Sequence, residues 1–343
     1  MSETIIKKKQ KSPRGKPTLK TISQMTGLAV PTVSRALNNA PDIGEKTKIL
    51  VRKIADEVGY VPNRAGVRLR TGRTNVISLV MSTEHDVMNH TARLISSVAG
   101  GLRATEYRLI VTPYFPDEDP MKPVRYIVET GSADAVILNQ IQEEDPRIQY
   151  LMERNFPFAT HGRTKWCDQH PYYDYDNQAF AEISMERMIK RGRKNISLIA
   201  PPQNHAYGKH MVTGARKVAD ARGIALRVEE GATSDMPSAV VKSYVAKMLM
   251  EKPETDAIIT ASTSSAMAIV AALESRGLKL EKDIDVCAKE AMPFLKLFRE
   301  DIMTMAEQVT AGGEFLAKAA IQAVRQPELP PKQMVEVPTH DSQ

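Results

Sequence analysis

Between Thr18 and Arg35 the chain reads TLKTISQMTGLAVPTVSR, and its polar residues fall where recognition, not bond-making, would need them. If Pro31 lies in the first turn of a short helix, Val33 and Leu37, four apart, share its inward side. Thr32, Ser34, Arg35, Asn38 and Asn39 are then left to face water or DNA. Hydroxyls, amides and a guanidinium on one exposed helix side are partners for base edges and phosphates. Spacings suited to catalysis are missing. His85 and His90 are five apart and His161 and His170 nine, which puts no metal-ligand pair on one helix face, and Cys167 beside Asp168 has no second CxxC. No GxSxG, P-loop or GxGxxG occurs, and Asp117 to Asp119 and Glu143 to Asp145 read as solvated loop charge. The expectation is a non-enzyme with no catalytic residue, cofactor or metal.

The elements that must position these residues can be read around them. Thr18 can cap a first helix whose Leu19, Ile22 and Met25 form one buried stripe, and Gly27 ends it because glycine tolerates the left-handed turn. A third helix, announced by Gly44 to Thr47, runs through Ile49, Leu50, Ile54 and Val58 to Gly59. Taken alone, two helices and a turn could be any small helical hairpin; with the third they make a complete small core. Tyr60, Val61 and Pro62 are extended, and Asn63 can cap a further short helix over 64–70 whose large apolar residues are Val67 and Leu69. Carrying Arg64, Arg68 and Arg70, with Arg73 just beyond, that helix is too short and too self-repelling to stand alone. Either an anion orders it, with leucine as an apolar wedge between base steps, or it is a flexible basic linker.

Charge points the same way. Residues 1–75 hold sixteen Lys and Arg against five Asp and Glu, a net +11 in a chain whose total is +6, so residues 76–343 carry −5. That asymmetry is the footprint of a nucleic-acid module on an ordinary globular domain. Lys7, Lys8, Lys9, Lys11, Arg14 and Lys16, broken by Pro13, Gly15 and Pro17, read as a disordered basic arm over 1–17 that adds nonspecific phosphate contacts or only solubility.

With 343 residues and 42% apolar content, two or three structural units are expected. No apolar run reaches the roughly 20 residues of a membrane span, and no signal peptide is visible. Cys167 and Cys287 form no motif, so the expected home is a reducing cytoplasm. From Asn75 onward short β-branched runs alternate with amphipathic stretches. Strands are predicted at 76–81, 108–112, 135–138, 158–160, 196–200, 257–260, 284–287 and 334–337. Helices are predicted at 91–106, 178–191, 207–222, 239–251, 264–276 and 313–325. Such alternation means parallel sheets covered on both faces, in two doubly wound subdomains with a ligand crevice at the carboxyl ends of the strands. Gly100 with Gly101 and Gly312 with Gly313 read as close helix packing.

The stretch TVSRALNN, the downstream EKT and the closing GYVPNRAGVRLRTGRT resemble the DNA-binding headpiece and hinge of the lactose-repressor/galactose-repressor (LacI/GalR) family. More weakly, YDYDNQAFAEISMERMIKRGRKNISLIAP and AIITASTSSAMAIVAALESRGLKLEKDIDV resemble passages of the family's second domain. The resemblance implies an all-α helix-turn-helix headpiece over 18–62, a hinge helix and linker over 63–74, and a periplasmic-binding-protein-like α/β core over 75–340 for effector binding and dimerisation. It implies subdomain one at about 75–175 and 308–333 and subdomain two at about 176–307 and 334–340, with the crossings as hinges. Val30, Pro31 and Arg35 would read bases and Leu69 would open the central step. Thr18, Leu19, Ala29, Thr32, Ser34, Asn38, Lys46, Thr47, Tyr60, Asn63, Arg64 and Gly66 would lie at the DNA. Two departures stand out: Ala29 replaces a serine that offers phosphate a hydroxyl, and Gly66 costs about 1 kcal/mol of helix propensity, so hinge ordering leans harder on DNA.

The pocket departs further from the family. Met211 stands where an arginine precedes Gly214, Ser262 and Thr263 replace an Asn-Asp pair, Glu290 follows Lys289 in place of a turn aspartate, and Glu307 replaces a later glutamine. Arg163 in HGR and Lys209 and His210 remain as cations. With Ser82 and His161 they make the expected effector set Ser82, His161, Arg163, Lys209, Met211, Ser262, Glu290 and Glu307. Arginine and lysine suggest an anionic sugar, sugar phosphate or organic acid, although Lys209, His210 and Lys289 are equally read as solvated surface. The expected partners are an operator of double-stranded DNA, a small effector and a second copy of the chain. The reading is a dimeric repressor of carbon metabolism on a palindrome; without an added C-terminal leucine heptad a dimer is expected over a tetramer. One alternative is a constitutive DNA-binding dimer whose pocket no longer binds; another is a sugar carrier whose basic arm meets acidic partners other than DNA.

Overall fold

The computed structural model describes residues 16–61, 68, 72–83, 88–291 and 294–338. Apart from residue 68, the expected hinge helix over 64–70, with Asn63, Arg64, Gly66 and Leu69, lies outside the described residues, as do 1–15 of the arm. The chain divides into two compact units, Met1–Thr74 and Asn75–Gln343.

The first unit is built on α1 (Leu19–Thr26), α2 (Val30–Leu37) and α3 (Glu45–Val58). Thr18 caps α1 through a reciprocal pair with Thr21, and Gly27 closes it at φ 71°. Ile22, Val33, Ala36, Val51 and Ala55 are the buried core. One expected core position is displaced: Met25 is 48% exposed because Leu28 of the turn packs against the core instead; on α2 Val33 and Ala36 are buried and Leu37, half buried, packs against the same core. On α3 the register runs through Val51 and Ala55, leaving Ile49 and Leu50 exposed.

Among the described residues of the second unit, eleven strands form two parallel sheets. Sheet one has the order β11-β5-β4-β3-β1-β2, from β1 (Val76–Ser82), β2 (Arg108–Tyr114), β3 (Ala135–Leu138), β4 (Phe158–His161), β5 (Tyr172–Tyr175) and β11 (Gln333–Glu336). Sheet two has the order β10-β9-β8-β6-β7, from β6 (Asn195–Ile199), β7 (Ala225–Val228), β8 (Ala257–Thr260), β9 (Asp285–Glu290) and β10 (Met303–Ala306). Central strands β3 and β8 are buried at every residue, whereas edge strands β2, β7 and β11 are largely exposed or half buried, as expected of parallel sheets covered on both faces.

Sheet one carries α4 (Met88–Gly101) and α12 (Val309–Arg325) on one face and α5 (Met121–Thr130) and α6 (Pro146–Glu153) on the other. Sheet two carries α7 (Asn177–Lys190) and α8 (Ala206–Arg222) on one face and α9 (Ser238–Glu251) and α10 (Thr263–Ser275) on the other; a short α11 (Leu295–Phe298) follows β9. Both sheets are therefore doubly wound. Close packing of α4 on α12 depends on glycines, since a Cβ on Gly101 would stand 2.7 Å from that of Ala317 and one on Gly313 would collide with Ser97. Gly312 instead makes room for Tyr173, and Gly100 faces open space, contrary to the reading of all four as helix contacts.

The C-terminal strand corrects the expected division. Residues 334–340 were placed with subdomain two, but β11 pairs in parallel with β5 of sheet one, Val335 opposite Asp174. The preceding helix α12 packs on sheet one, and a short connection returns the chain to the sheet its helix covers. Among the described residues the main chain thus passes from sheet one to sheet two after β5, and back after β10.

Candidate nucleic-acid interface and ligand cleft

In the headpiece, burial of Val33 and Ala36 turns the opposite side of α2 outward. Ala29, Val30, Pro31, Arg35 and Asn38 are exposed there, and Thr32 and Ser34 are half buried beside them. Arg35 is paired with Asp42, and the Asn38 amide donates to the Ser34 carbonyl at 2.5 Å. Ala29 caps α2 without a side-chain bond. Other expected contacts serve the fold first: the Thr18 hydroxyl is held in the cap, Leu19 packs against the core, and Tyr60 is half buried, which raises its phenol pKa. Lys46 is exposed and Thr47 half buried at the start of α3.

Within the second unit lies a cleft between the two sheets, of about 1060 Å³ with its solvent mouth included. Its walls come from strand carboxyl ends: Asn139 and Gln140 after β3, His161 and Gly162 at β4, Asp174 and Tyr175 on β5, Ser262 to Ser264 after β8, Lys289 on β9 and Glu307 after β10. That is the crevice a doubly wound sheet offers.

Glu307 is the electrostatic centre. Its buried carboxylate meets Lys289 Nζ at 2.8 Å, His90 Nε2 at 3.2 Å and His161 Nε2 at 3.6 Å. Burial alone would raise its pKa, but Lys289 and the imidazoles hold it well below the usual carboxylate range. His161 is pushed down to about 4 by burial and by the neighbouring His90, so it is a neutral imidazole at pH 7. Lys289 also donates to Asn177 Oδ1 at 3.1 Å and lies 4.9 Å from the Tyr175 ring centre. Across the cleft Asp235 accepts from Tyr207 at 2.6 Å and Ser234 at 2.8 Å. Asp174, bonded to Arg163 Nε at 2.6 Å, is still raised to about 6 because burial outweighs the guanidinium. Asn139 Oδ1 and the Tyr175 hydroxyl are buried with no hydrogen-bond partner among the described residues.

Of the expected effector residues, His161, Ser262 and Glu307 line this cleft. The Ser262 hydroxyl caps α10 and donates to the Ser234 carbonyl. Five others are placed differently. Met211 is fully buried in the core between α8 and sheet two. Glu290 is buried and accepts the Leu295 amide at 3.0 Å, which makes it a cap for α11. Lys209 pairs with Glu143 at 2.9 Å, Arg163 is turned to Asp174 and Asp176, and Ser82 is half buried at the end of β1, off the cleft wall. Sequence spacing missed His90, Asn139, Asp174, Tyr175, Tyr207 and Asp235. It also gave no metal-ligand set, yet the tertiary fold brings donor atoms of His90, His161 and Glu307 within 4.8 Å of one another.

No described helix is long and apolar enough to cross a membrane. Residues 87–334 match the family described as periplasmic binding proteins and sugar binding domain of LacI family, and residues 18–63 match bacterial regulatory proteins, lacI family. The chain is similar to the HTH-type transcriptional regulator AglR of Rhizobium meliloti (strain 1021), at 28% identity over 312 residues, 89% of this chain and 87% of that one. It is 26% identical over 278 residues to the regulator CelR of Thermobifida fusca, covering 80% and 82%. Among solved structures, a lac repressor dimer bound to operator and the anti-inducer ONPF matches with TM-score 0.82 at 16% identity over 95% of this chain and 97% of that one. A complex of the regulator CelR with cellobiose matches at 0.68 and 22% identity over 94% and 98%; both likenesses speak for the fold.

Proposed function

From the premise that this chain belongs to the LacI family of bacterial regulatory proteins, and so is a DNA-binding transcriptional regulator, we propose that it is a cytoplasmic repressor working as a dimer on a palindromic operator, with a neutral saccharide as effector. The observation that carries the DNA reading is the outward side of α2, where Val30, Pro31, Arg35 and Asn38 stand exposed above buried Val33 and Ala36. On this reading Val30, Pro31 and Arg35 meet base edges, and Leu69 wedges the central step. Ala29, Thr32, Ser34, Lys46 and Thr47 line the backbone. Thr18, Leu19, Tyr60, Asn63, Arg64 and Gly66 position the helices and hinge.

The effector reading moves away from an anion. The cations expected to bind one are committed elsewhere, Lys209 to Glu143, Arg163 to Asp174 and Lys289 to Glu307. The cleft wall holds three carboxylates, Asp174, Asp235 and Glu307, against the ammonium of Lys289. Carboxylates and amides accept sugar hydroxyls, and Tyr207 and Tyr175 offer ring surface. The unpartnered Asn139 Oδ1 and Tyr175 hydroxyl favour a cleft that still binds over one that has lost its ligand, because a buried polar group without a partner is costly. One structural neighbour is a cellobiose complex, which agrees in ligand class.

The test is selection of bound duplexes from a random pool, followed by saccharide titration on the selected site. A symmetric consensus whose affinity shifts with a neutral sugar is expected; no preference for any symmetric duplex over scrambled competitor at physiological salt would defeat the reading.

A further inference from the structure

His90, His161 and Glu307 arrive from three separate elements: His90 lies on α4, His161 ends β4, and Glu307 follows β10 where the chain leaves sheet two. Both imidazole Nε2 atoms face one carboxylate oxygen, Glu307 Oε1, at 3.2 and 3.6 Å. The longer separation is beyond a hydrogen bond, so the His161 nitrogen is aimed at the cluster without that bond to hold it there. Imidazole nitrogens and a carboxylate oxygen bind zinc at about 2.0–2.2 Å, which sets neighbouring donors about 3.4 Å apart at a tetrahedral centre. The two observed separations bracket that value. The other oxygen of Glu307 is held by Lys289, which orients the carboxylate as a metal's outer partners commonly do.

We propose that His90, His161 and Glu307 form a three-ligand site for a zinc-like divalent cation in the effector cleft. Three protein ligands leave one position open, and since all three residues line the cleft, water or an effector hydroxyl would fill it. An imidazole–carboxylate donor set suits a borderline ion of this kind better than Mg²⁺ or Ca²⁺, which favour oxygen. Because His90 and His161 belong to sheet one and Glu307 hangs from sheet two, the ion ties the two walls of the cleft together. Its occupancy would therefore bias how far the cleft opens.

The experiment uses the untagged full chain, stripped with EDTA, and needs neither DNA nor sugar, so its outcome is separate from the regulatory reading. Zn²⁺ is titrated by calorimetry and Co²⁺ by visible absorption, which is intense for a four-coordinate site. One equivalent is expected, with four-coordinate Co²⁺ bands. His90→Gln, at a partly exposed side chain, and Glu307→Gln should each weaken Zn²⁺ by more than about tenfold. His205→Gln, in the neighbouring Tyr207 cluster, should leave affinity unchanged. Absence of Zn²⁺ binding, equal affinity in wild type and His90→Gln, or an equal loss in His205→Gln would each overturn the site.

Discussion

Arg35→Ala separates reading of sequence from electrostatic grip. A bidentate guanidinium–guanine contact discriminates by about 1–3 kcal/mol. In the unbound headpiece the same guanidinium is paired with Asp42, the two side chains 59% and 46% exposed. A pair so open to solvent contributes about 0–1 kcal/mol, and DNA must displace it. The net loss is then about 1–2 kcal/mol per half-site, or about 2–4 kcal/mol for a symmetric dimer, which is roughly 30- to 1000-fold in preference for operator over scrambled duplex. Asp42→Ala works in the opposite direction: it releases the guanidinium in both half-sites, worth up to about 2 kcal/mol for the dimer, so operator affinity rises by up to about 30-fold and preference over scrambled duplex does not fall. Fluorescence anisotropy with a labelled palindrome and unlabelled scrambled competitor, at one fixed salt concentration, reads both numbers. Equal losses for Arg35→Ala on the two duplexes would refute the assignment, since that is the signature of a phosphate contact.

Asn139→Ala should leave unliganded stability nearly unchanged, because its Oδ1 has no partner to lose, yet weaken saccharide binding by roughly 2- to 10-fold. Thermal denaturation with and without a panel of neutral sugars checks it; an undiminished sugar-induced shift excludes Asn139 from the contact. His170 is buried between Thr164 Oγ1 at 2.8 Å and the Pro171 carbonyl at 3.1 Å, and burial lowers its pKa. Its depressed value favours the neutral native form, so this stability is complete above the unfolded pKa of about 6.5 and is lost as pH falls towards the folded value. Urea unfolding at pH 7.5 and 5.5 should show a drop that His170→Gln reduces; a drop of the same size in the variant removes His170 as its source. Gly313→Ala, which drives a methyl into Ser97, should cost about 1–3 kcal/mol by overpacking, seen as a lower urea midpoint at constant slope. An unshifted midpoint would mean that α4 and α12 are looser than their packing implies.

Local chemistry was the legible part of the chain. Thr18, Gly27 and Pro31 mark helix ends through properties of single residues, and the central strands at Ala135–Leu138 and Ala257–Thr260 stand out because burial on both faces demands an unbroken apolar run. Strands β5, β7 and β10 escaped for the complementary reason: none of Tyr172–Tyr175, Ala225–Val228 and Met303–Ala306 is buried at every residue, and two of them border a sheet. The cleft is legible through the family pattern at His161, Ser262 and Glu307. The same pattern points to Met211 and Glu290, and charge points to Lys209, yet the fold uses them for core packing, helix capping and a surface ion pair. His90 meets Glu307 across 217 residues, a distance over which no periodicity carries information.

The misplaced last strand bears on how such a cleft transmits binding. Both passages between the sheets sit beside the ligand walls, at Tyr175 to Asp176 and at Glu307 to Gln308. Glu336 of β11 fastens them to one another: its carboxylate accepts the Gln308 amide at 2.8 Å and the Tyr173 hydroxyl at 2.6 Å, and its carbonyl accepts the Asp176 amide at 2.8 Å. Element-terminal residues of this kind absorb the dihedral changes of a closing motion. A molecule touching Tyr175 and Glu307 thus contacts both passages at once, and its affinity depends on the angle between the sheets. Only such differential contact can shift an equilibrium between open and closed forms, and coupling to a distant site is typically about 1–3 kcal/mol. The strand assigned on sequence to the far subdomain is therefore the one whose Glu336 hydrogen-bonds beside both crossings at once.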